Sequence, residues 1–328
     1  MKNYTLNYEI TGCPNRCKHC YCYEIKSNHS LMSIEEIVEL SKTFRERIEG
    51  DVGVLLLQEQ TLYPEYIKAV EVLKKEDLMH ADKRGLLVTN GFGLAKQPDL
   101  IQGIKEHYST VKLTLFGTEY THDSFVGRNG HFSEIIEVTQ LCHNNHLDVI
   151  WQMMLTKGNS RNIEELITLA GQLKVDGYFV TGAYNYAGSL RENKMVIPHE
   201  QDLKYKTFHV YEQEHELFLP EYKYKEIKSS VDDYQINKVS LDNLYIDSEF
   251  NVYPLSNIEP DFKLGNMKTD MDNLVQMLND HKKLPKLIRT RQSFTLRYLI
   301  DKHLDQNSTE MHTPQTLFEK LAYKKQVQ

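Results

Sequence analysis

Six short β-rich segments alternate with segments of helical periodicity over roughly the first 190 of the 328 residues. Such alternation predicts a parallel sheet whose strands are joined by right-handed crossovers through helices. Six units fall short of the eight that close a full barrel, so we predict an α/β fold of the partial (β/α)6, TIM-type class. Its chemistry is expected at the C-terminal ends of the strands. The predicted strands are residues 4–10, 52–57, 85–90, 111–116, 148–155 and 177–181.

Two of the helical segments carry signals of a helix start. Residues 33–48 place apolar side chains near one face, and Ser33 with Glu36 has the spacing of a capping box. Asn162 and Glu165 have the same spacing, so we predict a similar start for a helix over residues 162–173.

The sequence pattern changes after about residue 192, and we predict three parts. Residues 1–192 form the barrel, residues 193–240 a bridging segment of helix and loop, and residues 241–328 a smaller α+β C-terminal extension. The extension begins with a predicted hairpin over residues 242–255, with Asp247 to Glu249 at its turn, and becomes helical from Met271.

Composition limits the class of protein. No segment approaches the ~18 apolar residues of a membrane span, and the first residues lack the apolar run of a signal peptide. We therefore expect a cytoplasmic protein with no membrane partner. The net charge of −7 gives no general attraction to phosphate backbones, so nucleic acid is not an expected partner either.

Four of the five cysteines lie within ten positions, directly after the first predicted strand. Cys13, Cys17 and Cys20 have the spacing C-x3-C-x2-C. Three thiolates on one short loop can bind three irons of a cubane iron–sulfur cluster and leave the fourth iron open. A zinc site is the alternative, with His19 or Cys22 as the fourth ligand that a structural zinc requires. The residues alone leave both interpretations open.

The segment CPNRCKHCY, residues 13–21, resembles the signature loop of radical S-adenosylmethionine (SAM) enzymes, including the aromatic Tyr21 after the third cysteine. The resemblance implies that Cys13, Cys17 and Cys20 hold one [4Fe-4S] cluster whose open iron binds SAM. It implies reductive cleavage of SAM to a 5′-deoxyadenosyl radical, which takes hydrogen from a substrate. An electron donor of the flavodoxin or ferredoxin type is then required.

Three further segments resemble this family in the same order along the chain. Residues 58–66 are similar to its second-strand motif, usually Gly-Gly-Glu-Pro, although Leu57, Gln58 and Gln60 replace the glycines and the proline. Residues 87–91 match a common third-strand ending, and residues 112–132 resemble the fourth-strand segment of peptide-modifying members. The resemblance implies that Glu59 contacts the SAM ammonium, that Thr114 contacts the ribose, and that His19 lies near the adenine. It also implies cofactor contacts by Asn90 and Tyr21. Family members often bind the SAM carboxylate through an Arg at the position of Val126, and Arg128 is the candidate to replace it here.

Strand alternation indicates which side chains face the barrel interior. On strand 111–116 the apolar set is expected to pack against helices, which leaves Lys112, Thr114 and Phe116 facing inward. Gln152 is the polar residue expected inside on strand 148–155. A buried Gln there contacts SAM or substrate, or satisfies a backbone group.

Residues 245–267 resemble the start of a SPASM-type extension, which normally carries auxiliary iron–sulfur clusters. Leu255 stands where that extension has its first cysteine, and no cysteine follows Cys142. We therefore expect a degenerate extension without an auxiliary cluster. The substrate radical is then expected to take a hydrogen atom, as in epimerisation, to rearrange, or to pass its electron on.

The resulting hypothesis is a radical SAM enzyme of the SPASM-related branch that acts on a peptide or natural-product precursor. A small metabolite, such as an amino acid, sugar or nucleoside, is the alternative substrate. A non-catalytic zinc-knuckle binding protein is the alternative of another class. Cys22 is a candidate hydrogen-atom donor to the substrate radical, although the preferred interpretation is a loop thiol that lies beside the cluster without a role in the reaction. Cys142 is predicted to lie in the core, on the apolar face of a helix.

Overall fold

The computed structural model describes residues 2–20, 31–79, 85–182, 219–226, 241–255, 258, 260–286, 288–289, 296–312, 317 and 321. The strands are β1 Lys2–Glu9, β2 Gly50–Leu57, β3 Leu86–Thr89, β4 Thr110–Leu115, β5 Asp148–Leu155, β6 Gly177–Gly182, β7 Leu219–Pro220, β8 Asn243–Ile246, β9 Asn251–Pro254, β10 Gly265–Asn266 and β11 Met311–His312. The helices are α1 Ile34–Arg47, α2 Tyr66–Lys75, α3 Phe92–Lys96, α4 Ile101–His107, α5 Glu119–Val126, α6 His131–Asn144, α7 Ser160–Gln172, α8 Met271–Asn279 and α9 Leu296–His303.

The strands β1 to β6 are parallel to their bonded neighbours and are joined through helices, which confirms the predicted α/β class. Two sheets carry them, in the orders β10-β9-β8-β1-β2 and β3-β4-β5-β6, and β7 pairs with β11. Each of the six predicted strands lies within two residues of an observed one. The C-terminal ends of these strands therefore meet at one edge, where the chemistry is expected.

The helix starts follow local hydrogen bonding. Ser33 caps α1 as predicted, because its Oγ accepts a hydrogen bond from the Glu36 N–H at 3.4 Å. The second predicted start is wrong, since α7 begins at Ser160 and Asn162 lies within its first turn. The buried Asn159 explains the earlier start. Its Oδ1 accepts from the Thr156 N–H at 2.8 Å and its Nδ2 donates to the Phe116 carbonyl at 2.8 Å.

The core lies between the sheet and the helices outside it. On β4 the side chains of Val111, Leu113 and Leu115 are fully buried, whereas Lys112 and Thr114 on the other face are partly exposed. This alternation confirms the predicted orientation of the strand. Cys142 is fully buried on α6, as predicted, and the structure describes no helix that is long and apolar enough to cross a membrane.

The predicted hairpin is confirmed: β8 and β9 pair in antiparallel fashion, and Asp247 Oδ1 accepts from the N–H groups of Glu249 and Asn251 at 2.9 Å each. The sequence did not predict that β8 also pairs with β1 in parallel. Asn7 fixes this register, because its Nδ2 donates to Asn243 Oδ1 at 2.6 Å. The C-terminal extension thus continues the barrel sheet. The boundaries predicted near residues 192 and 240 lie outside the described residues.

Candidate functional site

The cysteine loop leaves the C-terminal end of β1 and lies against the last turn of α5. The Arg16 N–H donates to the Val126 carbonyl at 2.7 Å, and the Lys18 N–H donates to the Phe125 carbonyl at 3.1 Å. Gly127 ends α5 with a φ of 68°, and a Cβ at this position would lie 3.3 Å from Arg16 Cβ. Glycine there allows the close approach of helix and loop.

Three free thiols converge on this loop. Cys13 borders solvent, Cys17 and Cys20 are half-buried, and the Cys20 N–H donates to the Cys17 carbonyl at 2.9 Å. Loss of hydration within the surrounding protein raises the pKa of Cys13 to about 12 and that of Cys17 well above its usual value. Repulsion among the three groups as thiolates raises both pKa values further. Deprotonation of Cys13 and Cys17 is thus favoured when a cationic centre is bound beside them.

This donor set fits a cubane cluster. The described residues contain no group of three His, Cys, Asp or Glu side chains gathered around a single ion position. A cubane does not require one, because each thiolate of a [4Fe-4S] cluster binds its own iron. The Cys17 side chain packs against an apolar cluster formed by Phe116, Phe125, Val126 and Met154. This cluster shields one side of the site from water.

Asn90 joins the end of β3 to the cysteine loop. Its Nδ2 donates to Cys13 Sγ at 3.2 Å, and its Oδ1 accepts from the Phe92 N–H at 2.9 Å. Its backbone N–H donates to Glu59 Oε2 at 2.8 Å. The residue that the resemblance placed near SAM is therefore in contact with a predicted cluster ligand.

Glu59 is buried, and its carboxylate holds the ends of β2 and β3 together. It accepts hydrogen bonds from the Thr61 hydroxyl, from the Thr89 hydroxyl at 2.5 Å and from the Asn90 N–H. Burial raises the pKa of Glu59, while these hydrogen bonds oppose the rise. The structure thus gives Glu59 a positioning role at this edge, and contact with the SAM ammonium stays a prediction.

Gln58 keeps a backbone conformation that favours glycine. Its φ is 66°, in the left-handed region that most residues other than glycine avoid. The family motif that residues 58–66 resemble has glycine at this position. Gln58 therefore adopts the backbone conformation that glycine adopts most readily.

Glycine is also required where α3 meets the short 3-10 helix Gln60–Leu62. A Cβ on Gly93 would lie 2.0 Å from Thr61 Oγ1 and 2.8 Å from the Thr61 carbonyl carbon. We expect Gly93→Ala to lower the free energy of unfolding by about 1–3 kcal/mol, because a backbone must move. Gly171→Ala on α7 is the matched control: no atom lies within 4 Å of its Cβ, so a gain of about 0.5 kcal/mol is expected.

Urea unfolding of the two variants measures both free energies. A Gly93→Ala variant as stable as the unmodified chain would contradict the close packing of α3 against Thr61.

His19 lies on an aromatic surface beside the cysteines. Its ring centroid is 5.0 Å from that of Phe116 and 5.6 Å from that of Phe125, and these two phenyl rings stack at 4.1 Å. Burial lowers the pKa of His19 to about 4, so the ring is neutral near pH 7. A neutral ring among phenyl rings is suited to pack against a flat aromatic group, and contact of His19 with the adenine stays a prediction.

A buried histidine pair, which the sequence analysis missed, supports this surface from behind. The Phe116 N–H donates to His122 Nδ1 at 3.2 Å, and His122 Nε2 lies 3.3 Å from His131 Nδ1. Burial lowers the pKa of His122 to about 3 and that of His131 to about 4. Both rings are therefore neutral, and His122 donates to His131. His122 lies in the middle of α5 and His131 is the first residue of α6, so the packing of the two helices, which the sequence does not signal, brings the rings together.

Thr114 and Gln152 lie side by side on the inward face of the sheet. The register pairs Thr114 with Gln152 and Gln152 with Phe179, so the three residues form one row across β4, β5 and β6. Gln152 Nε2 donates to Met154 Sδ at 3.4 Å, and Lys112 Nζ lies 5.7 Å from the Phe179 ring centroid. The two predicted cofactor contacts therefore belong to one polar surface.

Arg128 connects the cysteine loop to two helices. Its Nε donates to Asn15 Oδ1 at 2.9 Å, and its guanidinium pairs with Glu134 and lies 4.4 Å from the Phe92 ring centroid. These contacts hold the loop through the buried Asn15, a residue that the sequence analysis missed. A contact between Arg128 and the SAM carboxylate stays a prediction. Tyr21 and Cys22 lie outside the described residues.

A second buried acid lies on the inward face of β1. Glu9 is 1% exposed and accepts a hydrogen bond from the Tyr245 hydroxyl, which comes from β8. Alternation along β1 could have identified Glu9, because Tyr8 and Ile10 face the helices. Its partner could not be found, since the pairing of β8 with β1 was not predicted.

Comparison with known proteins agrees with this geometry. The sequence profile described as the radical SAM superfamily matches residues 10–170. No match was found among curated protein sequences. Among solved structures, anSMEcpe with bound AdoMet is similar at 14% identity and a TM-score of 0.59, with 98% of this chain and 96% of that chain covered.

The Streptococcus suis protein SuiB is similar as well. Its structure bound to the precursor peptide SuiA matches at 12% identity and a TM-score of 0.54, covering 98% of this chain and 76% of that chain. Its structure bound to S-adenosylmethionine has a TM-score of 0.52 at 12% identity, with 85% of this chain and 66% of that chain covered. At such identities the likeness establishes a shared fold.

The matched residues 10–170 include the cysteine loop, the edge around Glu59 and Asn90, and the row of Thr114 and Gln152. They carry β2 to β5 of the partial TIM-type barrel. Sequence profile, fold and the convergence of three thiols agree, and the chain is an enzyme of the radical SAM superfamily.

Proposed function

We propose that this enzyme uses one [4Fe-4S] cluster, held by Cys13, Cys17 and Cys20, to cleave SAM and to take hydrogen from a peptide or natural-product precursor. The observation that carries the proposal is the convergence of three free thiols at the end of β1, with Asn90 Nδ2 donating to Cys13 Sγ and the Cys20 N–H donating to the Cys17 carbonyl. When cluster and SAM are bound, one-electron reduction supplies the 5′-deoxyadenosyl radical that abstracts the hydrogen.

The residues of the chain hold this site and exclude water from it. The backbone contacts of Arg16 and Lys18 with α5 fix the loop, and Arg128 fixes it again through Asn15. The stacked rings of Phe116 and Phe125 cover the side next to Cys17. A rigid site from which water is excluded limits side reactions of a radical with solvent.

The proposed SAM contacts surround the loop. Thr114 offers a hydroxyl to the ribose and Gln152 an amide beside it, since the two are neighbours in register. His19 offers its neutral ring to the adenine. Glu59 and Arg128 bring charge near the methionine part, although each already has protein partners. Tyr21 completes the proposed set.

The similarity to SuiB and anSMEcpe supports a peptide substrate. One of the similar structures is SuiB bound to the precursor peptide SuiA, and another is anSMEcpe with bound AdoMet and Cp18Cys peptide, of which 95% is covered. Both similarities cover 98% of this chain and so include its C-terminal extension, where β8 continues the sheet next to β1. The SPASM-related branch is part of the proposal, supported by the resemblance of residues 245–267 to the start of a SPASM-type extension.

The fate of the substrate radical follows from the proposal of a single cluster. Without an auxiliary cluster, the radical takes a hydrogen atom, rearranges, or returns its electron to the one cluster. Cys22 is the candidate thiol donor in the first case. A flavodoxin or ferredoxin supplies the initial electron.

Deuterium transfer tests the substrate class. The enzyme, reconstituted anaerobically with iron and sulfide, is incubated with SAM and dithionite in the presence of perdeuterated peptides or, separately, of perdeuterated amino acids, sugars and nucleosides. We expect 5′-deoxyadenosine to gain deuterium from the peptide pool. Deuterium from the small molecules alone would assign a metabolite substrate. No 5′-deoxyadenosine in any sample would contradict the proposal, with a Cys13→Ala sample as the blank.

A further inference from the structure

The contact between Asn90 and Cys13 has a consequence for the cluster. We infer that Asn90 is a positioning residue that raises the reduction potential of the cluster by donating an N–H···S hydrogen bond to the Cys13 thiolate. The inference rests on the proposed function, since it requires that Cys13 binds iron. It gives the residue a role in electron transfer to the cluster in addition to any contact with SAM.

The orientation of the Asn90 amide is fixed by its two ends. The oxygen accepts from the Phe92 N–H at 2.9 Å, so the NH2 group is the end that faces Cys13 Sγ, at 3.2 Å. A flipped amide would bring its NH2 group against the Phe92 N–H, donor to donor. The N–H···S contact is therefore determined by the surrounding donors.

The backbone on which Asn90 sits is also held in place. The carboxylate of the buried Glu59 accepts the Asn90 N–H at 2.8 Å and is itself bonded to Thr89. The Gly91 N–H donates to Thr89 Oγ1 at 3.0 Å, and Gly91 has a φ of 86°, which glycine adopts at little cost. A donor on so constrained a turn keeps its distance to the sulfur when the iron is reduced.

The effect on potential follows from charge. Reduction adds one electron to a cluster and its thiolates, so a donor aimed at a thiolate stabilises the reduced state more than the oxidised state. The hydrogen bond therefore makes the cluster easier to reduce. The Asn90 amide supplies this donor at Cys13, the most exposed of the three cysteines.

Two variants separate this effect from a loss of structure. In Asn90→Ser the shorter hydroxyl retains an acceptor for the Phe92 N–H but does not reach Cys13. In Asn90→Asp the acceptor is also kept, while the donor is replaced by a negative charge. The control Asn145→Ser removes an amide at the C-terminal end of α6, where Asn145 Nδ2 donates to the Leu141 carbonyl at 2.9 Å and Asn145 Oδ1 accepts from Gln102 Nε2 at 3.0 Å.

The measurement is a redox titration of the reconstituted cluster followed by electron paramagnetic resonance, with iron and sulfide determined on each sample. We expect the midpoint potential to fall in Asn90→Ser, to fall further in Asn90→Asp, and to stay unchanged in Asn145→Ser. Unchanged potentials in both Asn90 variants at full cluster content would overturn the inference and leave the proposed function intact. An unmodified protein that takes up no cluster would instead overturn the proposed function.

Discussion

Replacement of Cys13, Cys17 or Cys20 by alanine is expected to abolish cluster assembly and to reduce SAM cleavage to the level of the enzyme-free reaction. Each thiolate binds a different iron, so the loss of one leaves a second iron without a protein ligand. Iron and sulfide analysis after anaerobic reconstitution, together with 5′-deoxyadenosine formation, measures the two effects. The unmodified chain is expected to bind about four irons and four sulfides.

Cys142→Ala is the matched control, because this thiol is fully buried on α6 and away from the cysteine loop. It is expected to cost about 1 kcal/mol of stability through a small cavity and to leave iron content unchanged.

Cys22→Ala separates the two metal hypotheses. It keeps the cluster if three cysteines suffice, and it loses the metal if Cys22 is the fourth ligand of a zinc ion. Loss of iron in Cys22→Ala would therefore contradict the account.

The second large effect is expected at Glu59. Glu59→Leu leaves three donors without their acceptor in a buried place, namely the hydroxyls of Thr61 and Thr89 and the Asn90 N–H. At about 1–3 kcal/mol for each unsatisfied buried donor, we expect the free energy of unfolding to fall by at least about 3 kcal/mol. Urea unfolding of the protein without its cluster measures this fall without interference from metal binding.

Glu59→Gln is expected to lose less, since the amide oxygen still accepts from the threonines while its NH2 group faces the Asn90 N–H. Glu65→Gln is the control, because Glu65 is half-exposed and pairs with Lys68 at the surface, 3.1 Å away. It should unfold like the unmodified chain. If Glu59→Leu kept full stability and lost only SAM affinity, the carboxylate would be a direct SAM ligand, and the positioning role described here would be wrong.

The parts of the fold that depend on local pattern could be predicted from the sequence. The strands were found within two residues of their observed bounds, because β4 alternates apolar and polar side chains and β5 is a long apolar run between turns. The start of α7 was misplaced because Asn159 and Asn162 are both plausible caps by composition. The tertiary contacts of Asn159 with Phe116 and Thr156 decide between them.

Contacts between distant segments could not be predicted. The pairing of β8 with β1 joins residues more than 200 positions apart, and the donor from Tyr245 to Glu9 depends on it. The resemblance implied SAM contacts by Glu59 and Asn90, and those contacts stay predictions; the hydrogen bonds that the two residues make within the protein were not predicted. The structure shows that Glu59 bonds to Thr89 and that Asn90 bonds to Cys13, because parallel strands bring the ends of β1, β2 and β3 together.

The most direct test of the central claim is the electron paramagnetic resonance spectrum of the reduced, reconstituted protein, recorded with and without SAM. If three thiolates hold the cluster and leave one iron open, SAM binds that iron and the spectrum changes on addition of SAM. A reduced cluster whose spectrum is identical in both samples, or a protein that binds zinc in place of iron, would contradict the account.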